Sequence, residues 1–289
     1  MKWFDYAAPK SLDEAVALMA AHPGARPLAG GTDLLVQMRS GRKEPGYVVD
    51  VKHVPELNEI AYDPAAGLTL GAAVPCYRIY ASASVARAYK SLAEVAALIG
   101  GTQIQGRASI GGNLCNAAPS ADSVPLLIAL GATCRITGPT GTRDVAVEDF
   151  CTAPGRTVLE AGELLVSIHL PPPAPDSGAR YLRFIPRNEM DIAVAGAGVQ
   201  VVMDNGRFRS ARIALASVAP TPLFVREAGD SLAGQAVSAA SLAEAVDLAR
   251  RAARPITDMR GTAEYRRHLC GVLTRRALEA AIEVAREVR

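Results

Sequence analysis

The residues best suited to chemistry in this chain are small and polar, and they gather around paired glycines. One stretch runs Ser109-Ile110-Gly111-Gly112-Asn113-Leu114-Cys115-Asn116-Ala117-Ala118-Pro119-Ser120-Ala121-Asp122. A second runs Leu28-Ala29-Gly30-Gly31-Thr32-Asp33-Leu34-Leu35. Glycine lets a backbone turn sharply and approach a ligand closely, because no Cβ intervenes. Successive N–H groups in such a turn form an anion-binding concavity. Neither stretch has the apolar periodicity of a core element, so both read as loops. A lone Gly-Gly pair marks a turn and nothing more. Two polar, glycine-centred loops facing each other could hold a diphosphate. Asp122 closes the longer stretch, either as the N-cap of a following helix or as a carboxylate that accepts bonds from ligand hydroxyls.

The surrounding sequence supplies elements to position these loops. Ser11-Leu12-Asp13-Glu14, Ser91-Leu92-Ala93-Glu94 and Ser241-Leu242-Ala243-Glu244 share the spacing of a capping box and predict three helix starts. Their apolar faces are Leu12, Ala15, Val16 and Met19; Leu92, Val95 and Ile99; and Leu242, Ala245, Val246 and Ala249. His22-Pro23-Gly24, Gly100-Gly101 and Pro255 end them. A short helix is expected after Leu34, and a mostly buried one from Val124 to Leu130. Strands are expected at 26–29, 47–51, 68–70 and 163–170, with 133–137 and 143–147 pairing across Gly138-Pro139-Thr140-Gly141. Four prolines between Pro171 and Pro175 exclude helix and central strand there. The expected division is therefore 1–172, with subdomains at 1–54 and 55–172, then a linker at 173–178 and a second domain at 179–289. In that second domain Asp204-Asn205-Gly206 joins strands 193–203 and 208–218. A basic helix over 262–288 follows, turning Leu269, Val272, Leu273, Ala277 and Val284 inward. Strands followed by helices make an α+β pattern.

Composition and missing motifs narrow the function. The 289 residues hold 31 Lys and Arg against 29 Asp and Glu, a net charge of +2, which gives no electrostatic reason for a nucleic-acid partner. No apolar run approaches the ~18 residues of a membrane span, and the start has no apolar signal region. The five cysteines stand at 76, 115, 134, 151 and 270 without a CxxC pair. That spacing speaks for a reduced, cytoplasmic protein and against zinc or iron–sulfur ligation in this chain. Gly196-Ala197-Gly198 is followed by Val201 where the dinucleotide fingerprint needs glycine. There is no Walker lysine, no HExxH, and no glycine two residues before Ser109 for a nucleophile elbow. A hydrolase with a nucleophilic triad is thus excluded as the leading reading.

Motifs along nearly the whole chain resemble the FAD-binding medium subunit of the molybdenum hydroxylases, the xanthine dehydrogenase and carbon monoxide dehydrogenase family. They are Phe4-Asp5-Tyr6 with Ser11-Leu12-Asp13-Glu14-Ala15, the two glycine loops, Arg183, Arg187 and Met190-Asp191-Ile192-Ala193, Pro220-Thr221-Pro222-Leu223, and Asp258 to Arg267. The resemblance implies a two-part FAD-binding fold of the vanillyl-alcohol oxidase (PCMH) type, followed by an antiparallel sheet covered by helices. It implies that Leu28, Ala29, Gly30, Gly31, Thr32, Asp33 and Leu34 wrap one side of the FAD diphosphate. Ser109, Ile110, Gly111, Gly112 and Asn113 would wrap the other. Asp122 would bind a polar part of the cofactor, Leu165 would pack near the flavin ring, and Arg183 stands where relatives carry a basic flavin contact. Ile99 stands where some relatives place an aromatic, so stacking there is in doubt.

The implied role is electron transfer without a catalytic side chain, because the flavin does the redox chemistry. A large subunit with a molybdenum-pterin cofactor would hydroxylate the substrate. A small subunit with 2Fe–2S clusters would pass electrons to FAD, in a dimer of heterotrimers. The inserted cysteine loop of members with an extra 4Fe–4S cluster is not present in the sequence. Gly30-Gly31-Thr32-Asp33 departs from the Gly-Gly-His-Ser of carbon monoxide members, which lowers that substrate among purines, N-heterocycles and aldehydes. Two alternatives stand beside this reading: a stand-alone FAD oxidoreductase with its own organic substrate, and a flavin-free assembly module.

Overall fold

The computed structural model describes residues 1–287. The N-terminal elements are β1 (Asp5–Ala7), α1 (Leu12–Ala21), β2 (Arg26–Leu28), α2 (Leu34–Arg39) and β3 (Tyr47–Asp50). Their strands form a parallel sheet in the order β1-β3-β2, the small α/β unit expected of this segment. Ser11 caps α1, its Oγ accepting from the Glu14 N–H at 3.2 Å. The Glu14 carboxylate reaches back one residue further than in a capping box and takes the Lys10 N–H at 3.0 Å.

The middle of the chain is built from β4 (Ile60–Asp63), β5 (Gly67–Gly71), α3 (Cys76–Ala81), α4 (Ala83–Ala88), α5 (Lys90–Ala96), α6 (Thr102–Gln105), α7 (Ile110–Asn116), α8 (Ser123–Ala129), β6 (Thr133–Gly138), β7 (Gly141–Ala146), α9 (Val147–Phe150), β8 (Cys151–Ala153), β9 (Arg156–Thr157) and β10 (Leu164–Leu170). Five strands form an antiparallel sheet in the order β4-β5-β10-β6-β7, and β6 pairs with β7 as predicted. One sheet face, with Leu68, Leu70 and Ile168, packs on the helices. Leu164 and Val166 point the other way and close a separate core with Ala15, Met19 and Val49.

Two predicted features differ here. Ser91 does not cap a helix: α5 begins at Lys90, and Ser91 is buried inside it. The cap in this region is Ser82, one helix earlier, accepting from the Val85 N–H. The Ser109 stretch is also not all loop, because Ile110–Asn116 is helical. Two glycines make poor helix formers. Here Ser109 caps the Gly112 N–H at 3.0 Å and tertiary packing holds the turn. A Cβ on Gly111 would run into the Ala72 backbone, so α7 lies directly on the chain leaving β5.

The remainder comprises β11 (Ser177–Phe184), β12 (Ala195–Asp204), β13 (Arg207–Ala216), β14 (Leu223–Phe224), α10 (Arg226–Asp230), α11 (Ala239–Ala252) and α12 (Ala263–Glu287). The strands form an antiparallel sheet in sequence order. Asn205 and Gly206 both take positive φ in the β12–β13 turn, as an Asn-Gly hairpin requires. The cap of α11 is Ser238, with Ser241 completing a capping box three residues on, so the sequence reading was displaced by one turn. Along α12, Val272 and Val284 are only half-buried; Leu278, Ala281, Ile282 and Ala285 join Leu269, Leu273 and Ala277 in the core. Position 288 of the predicted helix lies outside the described residues.

Strand β12 has two unlike faces. Ala197, Val199 and Val201 point into the core shared with α11 and α12. Gly198 points the opposite way, where a Cβ would stand 2.6 Å from Pro125 of α8. Every residue of α8 is buried, because it lies between the five-stranded sheet's helices and the β12–β13 surface. Arg212 of β13 donates to the Ile128 carbonyl at 3.0 Å and pairs with Glu148. Ser217 N–H donates to the Pro119 carbonyl at 2.8 Å.

Overpacking of this kind costs about 1–3 kcal/mol. Gly198→Val is therefore expected to lower the thermal midpoint by about 2–5 °C, read by calorimetry; an unchanged midpoint would contradict the close packing of α8.

Candidate functional site

The chain on either side of α2 and α7 meets at a backbone contact. A Cβ on Gly30 would overlap the Arg107 carbonyl, so only glycine lets the first turn lie against the segment entering Ser109. Gly31 follows with φ +76°, which swings the chain into α2. These two turns line one cleft of about 900 Å³, within the size range of ligand sites. The cleft lies between two cores, with Met19, Val51 and Leu57 from one and Ala108 and Leu165 from the other.

Most of the sequence-predicted residues come together here. Ala29, Gly30, Gly31, Thr32, Asp33 and Leu34 line one side; Ser109, Gly111, Gly112 and Asn113 line the other; Ile99 and Leu165 also face the cleft. Leu165 stands at a register shift between β10 and β6, and such bulges re-aim side chains. The two glycines of the second turn have different surroundings. Gly111 is filled from behind by Ala72, whereas a Cβ on Gly112 would meet only Ser109 Oγ, at 3.0 Å.

Four predicted residues do not line the cleft. Leu28 is the last residue of β2, and Ile110 is buried in the core. Asp122 and Arg183 pair with each other at 2.5 Å, and the Tyr181 hydroxyl donates to Asp122 at 2.7 Å. This cluster joins the start of α8 to β11. Asp122 makes no capping bond to α8. Burial pushes its carboxyl above the usual range, opposed by the Arg183 guanidinium and the Tyr181 hydrogen bond.

Of the other lining residues, Arg26, Lys43 and Gln37 had no signal in the sequence, whereas Cys115 and Asn116 fall in the second glycine stretch. Arg26 and Lys43 bring two cations to the rim of the first turn. Burial, and then the charge of Arg26, lower the Lys43 ammonium. Burial raises the Asp33 carboxyl, opposed by Lys43 and Arg42. Cys115 also faces the cleft, but burial pushes its thiol up to about 12, so it is no nucleophile. Gln37 and Asn116 close the inner end.

The third wall is the segment from Thr152 to Leu164. It is fixed by Arg143, which donates to both Glu163 carboxylate oxygens at 2.8 Å and to the Val158 carbonyl. Glu163 also accepts from the Glu160 N–H at 2.7 Å. Glycines 155 and 162 were the one visible hint of this turn-rich wall. No group of three or more metal-ligating side chains is found among the described residues.

Similarity to known proteins follows the same geometry. Residues 2–173 match the family described as the FAD binding domain in molybdopterin dehydrogenase. Residues 180–281 match that described as the CO dehydrogenase flavoprotein C-terminal domain. The carbon monoxide dehydrogenase medium chain of Afipia carboxidovorans is 38% identical over 279 residues, 96% of each chain. The xanthine dehydrogenase FAD-binding subunit of Escherichia coli is 31% identical over 286 residues, 98% of each. Among solved structures, a chain of reconstituted CO dehydrogenase from Oligotropha carboxidovorans gives a TM-score of 0.94 at 37% identity, covering 98% of both chains. A chain of quinoline 2-oxidoreductase from Pseudomonas putida 86 gives 0.91 at 33% identity, covering 99% of both.

Arg143 holds the Glu163 carboxyl below its ordinary value of 4.5. A depressed folded value adds stability that is present above the ordinary value and lost as pH falls through the folded one. Glu163→Gln is expected to lower the melting temperature at pH 7 and to flatten its dependence between about pH 5 and pH 3. Melting curves across that window check it, and parallel curves for both proteins would contradict the role of the pair.

Proposed function

This chain belongs to the FAD-binding subunit family of the molybdopterin dehydrogenases, and from that membership we propose how its cleft is used. The protein is the FAD-carrying electron-transfer subunit of a molybdenum hydroxylase complex. It acts as an oxidoreductase within that complex, beside a large molybdenum-pterin subunit and a small 2Fe–2S subunit. We place the subunits as heterotrimers that pair. When bound, the flavin supplies the redox chemistry, taking electrons from the clusters and delivering them to an external acceptor.

One observation carries the assignment of the site. The two glycine turns, distant in sequence, line a single cleft together with Leu165. The residues fit FAD on other grounds as well. At Gly112 only Ser109 Oγ comes within 4 Å of a Cβ position, so a diphosphate can approach the backbone there. Gln37 lines the cleft and leaves its Oε1 with no protein partner, an acceptor that a shift of the side chain would bring to a hydroxyl or amino donor of the cofactor. Accordingly the Gly30–Asp33 and Ser109–Asn113 turns seat the diphosphate, while Ile99 and Leu165 bound the flavin ring. Asp122 and Arg183 act from behind, by fixing β11 against the start of α8. The domain division proposed for the chain is 1–172, a linker at 173–178, and 179–289.

No helix among the described residues is long and apolar enough to cross a membrane. All five cysteines are free, which supports a cytoplasmic location. The hydroxylated substrate is set by the large subunit. The departure at Thr32-Asp33 therefore bears on cofactor contacts and not on substrate choice.

Gly112→Val separates this reading from a purely structural one. Its side chain presses only on the capping Ser109 Oγ, so the variant should fold with at most a weakened cap and lose FAD affinity by at least about tenfold. Gly111→Val collides with Ala72 and should lower stability whether or not FAD is present. Full flavin occupancy in the Gly112 variant would sink the placement of the diphosphate. In a separate assay, the flavin should be reduced by the substrate that the complex hydroxylates only when the large and small subunits are present. Direct reduction in the isolated chain would point to a stand-alone enzyme.

A further inference from the structure

The two glycine turns belong to different parts of the fold, yet a side-chain hydrogen bond joins the helices behind them. Gln37 Nε2 donates to Asn116 Oδ1 at 2.8 Å. We propose that this bond is a latch that sets the separation of the two turns, making Gln37 and Asn116 positioning residues for FAD. The proposal rests on the cofactor assignment above.

Each partner is rigidly tied to its own turn. Gln37 lies one helical turn past Asp33, and its N–H donates to the Asp33 carbonyl at 2.9 Å. Its own carbonyl takes the Lys43 N–H at 3.2 Å and the Ser40 hydroxyl at 3.1 Å. Asn116 is the last residue of α7, two turns from Ser109. Ala117 then takes a left-handed conformation, and its carbonyl accepts the Gly155 N–H at 2.9 Å. The latch therefore connects the first turn, the second turn and the third wall, and both of its side chains line the cleft.

The Gly30–Arg107 contact sets a minimum distance between the turns, because it is steric. It does not stop them from opening. The Gln37–Asn116 bond supplies the missing attraction. The other Gln37 amide atom, Oε1, is buried without a hydrogen-bond partner, so the bond to Asn116 is what holds the Gln37 amide in place. Turns already held at a fixed separation lose less freedom when FAD binds, so the latch favours binding. An apolar residue at 37 would fill the same space without that bond.

The test titrates FAD-free full-length chain with FAD, following quenching of flavin fluorescence, and monitors folding by circular dichroism. Gln37→Leu and Asn116→Ala should each weaken FAD binding by about threefold to tenfold. The double variant should bind no more weakly than Gln37→Leu alone. The exchanged pair, Gln37→Asn with Asn116→Gln, keeps both amides and their combined length and should recover most of the affinity; side chains that merely filled space would not give this rescue. Additive losses, unchanged affinities, or failure of the exchanged pair to recover binding would overturn the latch while leaving FAD binding intact. If the unmodified chain fails to bind FAD, the cofactor assignment falls and the latch falls with it. Should Gln37→Leu fold poorly, Asn116→Ser against the exchanged pair gives the same comparison with polar side chains throughout.

Discussion

Two backbone segments can touch only where side chains are missing, and the cleft is built on that condition. Gly30 lies against the Arg107 carbonyl, and Gly111 lies against Ala72. The first contact brings the parallel three-stranded unit up to the helical layer. The second lays α7 on the chain leaving the five-stranded sheet. Together they hold the two turns on one cleft. Steric limits of this kind do not depend on salt or pH, unlike the ion pairs elsewhere in the chain. A site whose work is to seat a cofactor in one orientation gains from that constancy.

The polar contacts are distributed around this steric frame and have different tasks. Arg143 meets Glu163 with two parallel bonds, a geometry that lysine cannot reproduce, and so fixes a wall that has little regular structure. The Asp122–Arg183–Tyr181 cluster acts between the two halves of the chain. Its charges are almost fully withdrawn from water, and removal of one partner would leave the other buried and uncompensated. Its contribution is therefore one of registration: it defines how β11 sits against α8, and through α8 how the second turn is oriented.

Much of the fold could be read from local pattern. Asp204-Asn205-Gly206 named its hairpin, Gly138 to Gly141 named another, and Ser11 named a helix start, because each of these signals acts within a few residues. The displaced caps at Ser91 and Ser241 show the limit of that reading: serine spacing repeats along a helix, and only packing decides which serine stands at its end. Helix α7 was hidden because glycine's low propensity pointed to loop, while its actual support comes from Ala72, nearly forty residues away. The third wall and the Gln37–Asn116 bond were hidden for a related reason, since no short-range pattern encodes contacts between distant segments. The two-part character of the fold came from family resemblance, and so did the expectation that Ile99 and Leu165 stand near the flavin ring.

Helix α8 has a bearing on how the chain comes into being. Every residue of it is buried, yet part of its cover is strands β12 and β13, which emerge from the ribosome some seventy to ninety residues later. Until then the flavin half displays an uncovered apolar rod. The half that holds the cleft thus has one helix whose full cover is supplied by the distal half, and burial of that helix is completed only when the distal strands have been translated.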